Sequence, residues 1–234
     1  MHQRTGGNPL FNVQLMNYMV NEGIVYYERG RRQWVWDDER LRKMPMQFDV
    51  QDLIASRFEQ LDASSMRLIA VAACIGTSFS VERVSSVAGI PLAEVVAGLD
   101  KAMAAGLITW GDASMTNVFE FVHDRIQQIA HQSLSDEDRQ QVHASIARSY
   151  LNGERDIDEE DLLTVASHIE SALGALSDRN ERDQACLLLY RAGHRARSGG
   201  VLRTARLHIE MGRSLEHESL WVSHHDLLMH ASLE

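Results

Sequence analysis

FSVERVSSVAGIPLAEVVAGLDKAMAAGLITW, residues 79–110, is the stretch of sequence on which the fold depends. It predicts a first helix that ends at Gly89, because glycine readily adopts the left-handed conformation that closes a helix. A tight turn that contains a proline then leads into a longer helix over residues 92–105, which Gly106 ends. Two helices joined in this way form the centre of a helix-turn-helix arrangement.

The segments on either side complete a winged-helix order. Two amphipathic helices come first, over residues 50–61 and 64–75, and Ser64 is expected to cap the second of them. After the helix-turn-helix come two short β-rich runs, Leu107–Trp110 and Val118–Val122, separated by a polar turn. Helices followed by a two-stranded wing predict a winged-helix domain.

Residues 1–48 precede this domain and predict a helix followed by a β-hairpin. Asn8 is a favourable N-cap residue and Pro9 suits the first helical position, so a helix is expected over residues 8–22, ended by Gly23. Two β-rich runs around a glycine-containing turn then predict the hairpin strands Ile24–Tyr27 and Gln33–Trp36. The polar stretch that follows, DDERLRKMPMQFD, is interpreted as a linker.

Helices are also predicted throughout the remainder of the chain. One covers His123 to about Leu134, and a capped helix follows from Ser135 to Leu151. The acidic stretch NGERDIDEED indicates a domain boundary. Three further helices are expected after it, over about 159–176, 181–198 and 201–215. Gly199-Gly200 would form the turn between the last two, which resemble a tetratricopeptide unit.

The composition describes a globular protein with an acidic surface. The chain has 234 residues, of which 44% are hydrophobic, and its formal net charge is -10. This charge disfavours a protein whose main task is to hold nucleic-acid phosphates. Cys74 and Cys186 lie in apolar helical stretches and are expected to be buried free thiols. The sequence shows no signal peptide and no run of about 18 apolar residues, so a cytoplasmic location without membrane contact is expected.

The sequence motifs of common catalytic and metal sites are absent. There is no GxxxxGK[ST] P-loop, no CxxC or HExxH metal motif, and no GxSxG nucleophile elbow. Four histidines near the end of the chain are expected to lie on a solvated helical face, namely His217, His224, His225 and His230. We therefore expect no catalytic residue, no bound metal and no enzymatic activity in this chain by itself.

Two short motifs look like parts of a larger site. Residues 5–11, TGGNPLF, offer exposed backbone N–H groups and a proline edge at a helix start. Residues 119–125, FEFVHDR, lead from a strand into a helix at His123, where an imidazole can donate a hydrogen bond to a phosphate. Each motif taken alone also fits an ordinary capped helix, so these residues by themselves leave both interpretations open.

In this order and context, the motifs resemble the STAND class of signal-transduction NTPases. More closely, the chain is similar to the AAA-like predicted ATPases of large bacterial sensor histidine kinases, cyclases and LuxR-type regulators. The similarity covers almost the whole chain, through GGNPLF, WVWDD, LIAVAACIGTSFSVERVSSVAG, LDKAMAAGLI, FVHDRIQQIA, HASIARSYL, LLLYRAGHRARSGG and LWVSHHDLLMHASLE. The resemblance implies a mainly α fold with three parts: a helical lid piece with a hairpin over 1–48, a winged-helix domain over 49–152, and the start of tetratricopeptide-like repeats over 158–234.

The resemblance also implies site residues. In that class the lid and the winged helix close over ADP or ATP that a P-loop domain holds. By resemblance, Pro9 would pack on the adenine and His123 would reach the β-phosphate, while Gly7 and Asn8 shape the loop and Asp124 holds the helix start. The sequence departs from the family in having valine before the histidine, where many members have methionine, and in lacking the P-loop domain. We therefore expect no nucleotide bound to this chain by itself.

The partners implied by the resemblance are an upstream P-loop NTPase domain, a downstream output domain, and a protein or inducer at the repeats. The sequence stops inside an apparent helix, so we expect a longer natural chain, and an uncapped repeat leaves a homo-oligomer open. Two other functions stay open: a protein–protein interaction module and a DNA-binding winged helix. DNA binding is disfavoured because LAEVVAGLDKAMAA offers Lys101 as its single basic residue, beside Glu94 and Asp100.

Overall fold

The structure is a computed structural model that describes residues 9–43, 50–111, 117–152, 157–159, 161–217 and 220. Within these ranges it confirms a mainly α fold with two small antiparallel sheets. The helices are α1 Pro9–Asn21, α2 Asp38–Lys43, α3 Val50–Phe58, α4 Ala63–Ile75, α5 Val81–Ala88, α6 Leu92–Ala104, α7 Asp124–Gln132, α8 Asp136–Leu151, α9 Leu162–Ala172, α10 Arg179–Ser198 and α11 Leu202–Leu215. The strands are β1 Val25–Glu28, β2 Gln33–Trp36, β3 Ser78–Ser80, β4 Ile108–Trp110 and β5 Val118–Phe121. Among the described helices, none is both long enough and apolar enough to traverse a lipid bilayer.

The first helix is followed by the β-hairpin, as predicted, and the two share a small core. Strands β1 and β2 pair antiparallel, with Tyr27 opposite Trp34 and their rings in edge contact at 5.6 Å between centroids. The stretch interpreted as a linker departs from the prediction, because it contains helix α2. The Asp37 carboxylate starts this helix by accepting hydrogen bonds from the backbone N–H groups of Glu39 and Arg40, each at 3.0 Å.

The winged-helix core surrounds α4 and confirms the predicted order of helices. Fully buried side chains from five helices pack together here, including Ile54, Ile69, Val84, Leu99 and Ile126. Helix α4 is almost entirely apolar, so one of its faces packs in this core while Val71 and Cys74 face the helices that follow. An all-round apolar helix must be covered on more than one side, which explains why α4 lies at the centre of the fold.

The wing has three strands rather than the two that were predicted. Residues Ser78–Ser80 form β3, which pairs with β5 on the side opposite β4, giving the order β3-β5-β4. Phe79 lies opposite Phe119 in this pairing, and the Trp110 ring stacks on Phe119 at 4.4 Å between centroids. The third strand forms because it buries Phe79 against the aromatic face of β5.

The cap of α4 is also different from the prediction. Asp62, rather than Ser64, is the N-cap residue, and its carboxylate accepts a hydrogen bond from the Ser65 backbone N–H at 2.8 Å. Ser64 instead donates its hydroxyl hydrogen to the same carboxylate at 2.7 Å. An ionised aspartate is the stronger acceptor at the positive end of a helix, so it takes the capping position.

Helix α8 packs on both the winged-helix part and the later helices. It contacts α4 and α5 on one side and α9 and α10 on the other. Arg83 of α5 donates a hydrogen bond to the Tyr150 hydroxyl at 3.0 Å and lies over the same ring at 4.9 Å from its centroid. The second apolar core therefore begins before the acidic stretch and continues beyond it, through α8, α9 and α10. The domain boundary between residues 152 and 158 stays a prediction.

Helices α10 and α11 are joined by a short turn and pack against each other. The turn between them uses Gly199 and Gly200 as predicted, with Gly200 in the left-handed region at φ 78°. At their crossing, a Cβ added to Gly193 would lie 2.6 Å from Ile209 Cγ1 and 3.3 Å from the Ala205 carbonyl oxygen. Glycine at this position therefore lets the two helix backbones approach closely.

An ion pair joins α8 to α10 across the acidic stretch, and its loss is expected to weaken the fold. Arg148 Nε donates to Glu181 Oε1 at 2.7 Å, and the two side chains keep 33% and 15% of their surface exposed. Glu181→Gln is expected to lower the free energy of unfolding by about 1–2 kcal/mol, because Arg148 then loses its charged partner while half-buried. Urea unfolding followed by circular dichroism measures this loss.

The matched control for this variant is Glu210→Gln on α11. Glu210 pairs with Arg206 at 2.7 Å, and these side chains are 55% and 80% exposed. Its replacement is expected to cost about 0.5 kcal/mol or less, because water screens an exposed pair. Equal losses in the two variants would contradict a structural role for the Arg148–Glu181 pair.

Candidate functional site

His123 lies at the junction between β5 and α7, in the position that the sequence predicts. It is the N-cap residue of α7, and its Nδ1 accepts a hydrogen bond from the Arg125 backbone N–H at 3.0 Å. A neutral imidazole whose Nδ1 accepts a hydrogen bond carries its proton on Nε2. The side chain is exposed. The Nε2–H group is therefore a donor that can reach a group outside this chain.

Charged side chains follow His123 in the first turn of α7. Asp124 is exposed and begins the helix, where its carboxylate interacts favourably with the partial positive charge of the N-terminus. The Arg125 guanidinium donates to Gln128 Oε1 at 2.6 Å and so lies along the same turn. An anion at this junction would meet an imidazole donor and a helix N-terminus, with the Asp124 carboxylate as an opposing charge.

Most of the lid motif, residues 5–8, falls outside the described residues. Gly7 and Asn8 lie outside the described residues. Pro9 is the first residue of α1, as predicted, and the surroundings of its side chain also lie outside what the structure describes. His123 and Asp124 are adjacent at one helix start, and their relation to residues 7–9 stays a prediction.

Arg57 is a cation at the turn that precedes β4, and no sequence pattern marks it. Its Nη1 donates to the Gly106 carbonyl oxygen at 2.9 Å, and burial lowers the pKa of its guanidinium. The next residue, Leu107, accepts a hydrogen bond from the Val122 backbone N–H at 3.1 Å. Helix α3, strand β4 and the start of α7 are thus linked at one edge of the wing sheet.

An apolar cleft lies between α1 and the hairpin. It encloses about 470 Å³. Its lining is mostly apolar and, among the described residues, includes Leu15, Met16, Met19, Val25, Trp34, Trp36 and Leu41. Trp34 and Trp36 remain 57% and 58% exposed beside it. Exposed tryptophans at the edge of an apolar cleft are typical of a surface that contacts another protein.

Helix α6, in the position of a DNA-recognition helix, presents little that suits DNA. Its basic residue, Lys101, forms an ion pair with Asp62. Lys101 and the backbone N–H of Ser65 hold the pKa of the Asp62 carboxyl well below its usual range. Leu92 and Val96 are exposed on the same helix. Base edges are read by free Arg, Lys, Asn and Gln side chains, which this surface does not supply.

Four side chains that the sequence leaves far apart meet between four helices. Cys74 of α4, His131 of α7, His143 of α8 and His168 of α9 form this group, which we call the Cys–His cluster. Cys74, His143 and His168 are buried, and His131 is half-buried. The structure confirms that Cys74 and Cys186 are buried free thiols. The cluster has no signature in the sequence because its members lie on four separate helices.

Comparison with known proteins finds a distant, partial similarity to a signalling protein. No family model matches the chain, and no solved structure matches it significantly. Among curated proteins, it is similar to hybrid signal transduction histidine kinase G from Dictyostelium discoideum, with 24% identity over 180 residues. The match covers 62% of this chain and 5% of that relative, so the chain corresponds to a small part of it.

Proposed function

We propose that this chain is the regulatory part of a STAND-type signalling ATPase. In this proposal, it closes over ADP or ATP held by a P-loop domain elsewhere in the same protein. It then relays the closed or open state to helical repeats and to an output domain such as a histidine kinase. The similarity to a hybrid signal transduction histidine kinase supports the signalling part of this proposal.

The observation that carries the proposal is the geometry of His123. The hydrogen bond from the Arg125 backbone N–H to Nδ1 fixes the imidazole at the start of α7. This bond favours the tautomer with its proton on Nε2, so an exposed donor stands beside a helix N-terminus. Phosphate groups bind at helix N-termini because backbone N–H groups and the helix dipole favour negative charge there.

A hydrogen bond of this kind is large enough to operate a switch. A bond between a neutral donor and a charged phosphate contributes about 1.5–3 kcal/mol. A contribution that exists in the closed state and not in the open state shifts their equilibrium by about tenfold or more. Bound ADP would then hold the closed state, and its exchange or an inducer at the repeats would release it.

His123→Ser tests this proposal in a longer protein that carries the upstream P-loop domain. We expect the ADP retained through purification to fall by about tenfold or more, because the hydroxyl is too short to replace the Nε2–H donor. Serine is a good N-cap residue, so the variant keeps the start of α7. The measurement is chromatography of the nucleotide released when the purified protein is denatured.

The companion variant His123→Ala separates the two roles of the side chain, since it removes both the cap and the imidazole. Loss of ADP in both variants supports a contact between His123 and the nucleotide. If His123→Ser retains ADP and His123→Ala loses it, His123 acts as a helix cap, and the proposed contact with the phosphate is contradicted. An unaltered, folded protein that carries no nucleotide would contradict the proposed function as a whole.

The apolar cleft supports a second candidate, a protein–protein interaction module. Its lining and the exposed Trp34 and Trp36 side chains suit a protein surface better than a polar ligand. In the first proposal, this face belongs to the lid piece and contacts the neighbouring P-loop domain. In the second, it binds a separate protein and no nucleotide takes part, so the nucleotide measurement distinguishes the two.

A further inference from the structure

We propose that Cys74, His131 and His143 bind a transition-metal ion, with Zn²⁺ as the first candidate, and that His168 orients His143 for this task. The site would lie where α4 and α7 of the winged-helix part meet α8 and α9. A metal ion there would join these four helices through three ligands. This inference is independent of the proposed nucleotide switch, because neither His123 nor the lid motif contributes to it.

The spacing of the ligand atoms fits a metal ion. Each of the three residues offers one ligand atom, and these atoms all lie within 4.8 Å of one another. Zinc–sulfur and zinc–nitrogen bonds of about 2.3 and 2.1 Å place tetrahedral ligand atoms about 3.3–3.6 Å apart. A metal ion would have to draw the most distant ligand atoms about 1 Å closer together to complete such a site.

The chemistry of the three ligands selects the class of metal. Imidazole suits zinc, copper, iron and nickel, and thiolate adds preference for the softer members of that series. Calcium and magnesium require oxygen ligands, and none of the three residues provides one. Three protein ligands leave a fourth position for water or another donor, which is the arrangement of open zinc sites.

The buried surroundings keep the imidazoles in the form that binds metal. Burial lowers the pKa of His143 and of His168 to about 4, and it also lowers the pKa of His131. Near neutral pH all three rings are therefore uncharged and carry a lone pair. Burial raises the pKa of the Cys74 thiol to about 12. A metal ion would displace the thiol proton, so that each Zn²⁺ bound as a thiolate releases one proton.

His168 has the position of an orienting partner. Its Nδ1 lies 2.9 Å from the Nδ1 of His143, which fits one hydrogen bond between two neutral rings. When His143 donates this bond, its lone pair lies on Nε2, where it can bind a metal ion. Partners of this kind fix the tautomer and the ring orientation of metal-binding histidines. The two ring centroids are 5.2 Å apart, so the rings also contact each other.

The positive charge of Arg139 lies near the proposed site and would repel a bound metal ion. Arg139 lowers the pKa values of His131, His143 and Cys74 through its charge, and its guanidinium donates to the His131 carbonyl oxygen at 3.3 Å. This charge opposes a cation but favours the thiolate. Arg139 is also ion-paired with Asp136, which offsets part of the repulsion. A zinc thiolate carries a single net positive charge, so the thiolate is essential to the site.

Zinc titration of the purified, chelator-treated chain against a chromophoric chelator tests the proposal. We expect one equivalent of Zn²⁺ to bind with a submicromolar dissociation constant. Cys74→Ala and His131→Ala are each expected to weaken binding at least a hundredfold. His168→Ala is expected to weaken it about 10- to 100-fold, as for other orienting partners. Micromolar or weaker binding by the unaltered chain would overturn the proposal.

The chain offers matched controls for both ligand types. Cys186 is also a buried free thiol, and His208 is also a buried histidine, but both lie away from the cluster between α10 and α11. Cys186→Ala and His208→Ala are expected to leave the affinity for Zn²⁺ unchanged, and a loss equal to that of Cys74→Ala would overturn the assignment.

Binding of Co²⁺ in place of Zn²⁺ to the unaltered chain is a second test, and it needs no variant to fold. Bound Co²⁺ is expected to show thiolate-to-cobalt charge-transfer absorption together with the intense visible bands of a tetrahedral ion. Cobalt bound without the charge-transfer absorption would overturn the role of Cys74. Circular dichroism of each variant shows whether a loss of affinity belongs to the site or to the fold.

Discussion

Leu189→Ala is expected to lower the free energy of unfolding by about 2–5 kcal/mol. Leu189 lies in α10 and is 0% exposed within the core that α8, α9 and α10 share. The substitution removes buried methyl groups and leaves a cavity that the surrounding helices fill only in part. Since natural domains are stable by about 5–15 kcal/mol, such a loss is a large fraction of the total.

Urea unfolding followed by far-ultraviolet circular dichroism measures this effect. The matched control is Leu202→Ala, because Leu202 begins α11 and is 67% exposed. Its replacement is expected to change the stability by about 0.5 kcal/mol or less. A Leu189→Ala variant that unfolds at the same urea concentration as the control would show that this core contributes little to stability.

Gly193→Val is expected to lower the free energy of unfolding by about 3 kcal/mol, the upper end of what overpacking costs. The added Cβ would lie 2.6 Å from Ile209 Cγ1, and the two further methyl groups of valine have no free volume at a helix crossing. The Ala205 carbonyl oxygen, at 3.3 Å from the same Cβ, belongs to backbone and has little freedom to move. The helices α10 and α11 must therefore separate.

A double-mutant cycle with Ile209→Ala identifies the cause of this loss. If the clash with Ile209 dominates, the double variant is expected to be more stable than the sum of the two single losses predicts. Gly30→Val is the control for glycine replacement itself, because a Cβ at Gly30 meets nothing within 4 Å. Additive losses in the cycle would attribute the effect to the contact with the Ala205 backbone instead.

The winged-helix order could be predicted because its signals are local. Gly89 and Gly106 end helices, His123 and Ser135 begin them, and all four do so in the structure by backbone or capping contacts within a few residues. Local signals of this kind depend on neighbouring residues in the chain and therefore survive in a single sequence.

The third wing strand could not be predicted from the same signals. Ser78–Ser80 is three residues long, and its extended conformation is stabilised by pairing with β5, which lies some forty residues later. The prediction of Ser64 as the cap was wrong for a different reason, since Asp62 holds that position. Both residues are favourable N-caps, and the ion pair of Asp62 with Lys101 is a long-range contact.

The candidate sites also differ in whether their signals are local in the sequence or depend on tertiary packing. His123 could be singled out because it stands at a strand–helix junction that the sequence itself indicates. The Cys–His cluster and Arg57 could not, because their surroundings depend on how α3, α4, α7, α8 and α9 pack. A cleft such as the one beside Trp34 and Trp36 is similarly a product of tertiary packing, although the hairpin that carries both tryptophans was predicted.

Helix α8 has a mechanical consequence for any signal that passes along the chain. Its 16 residues make a rod about 24 Å long, and the rod is fastened to α4 and α5 at one flank and to α9 and α10 at the other. Helices packed in this way move as a rigid lever, since bending would break their hydrogen bonds and side-chain contacts. If the winged-helix part tilts, α8 would tilt with it and displace α10. The acidic stretch after residue 152 would not take up this movement.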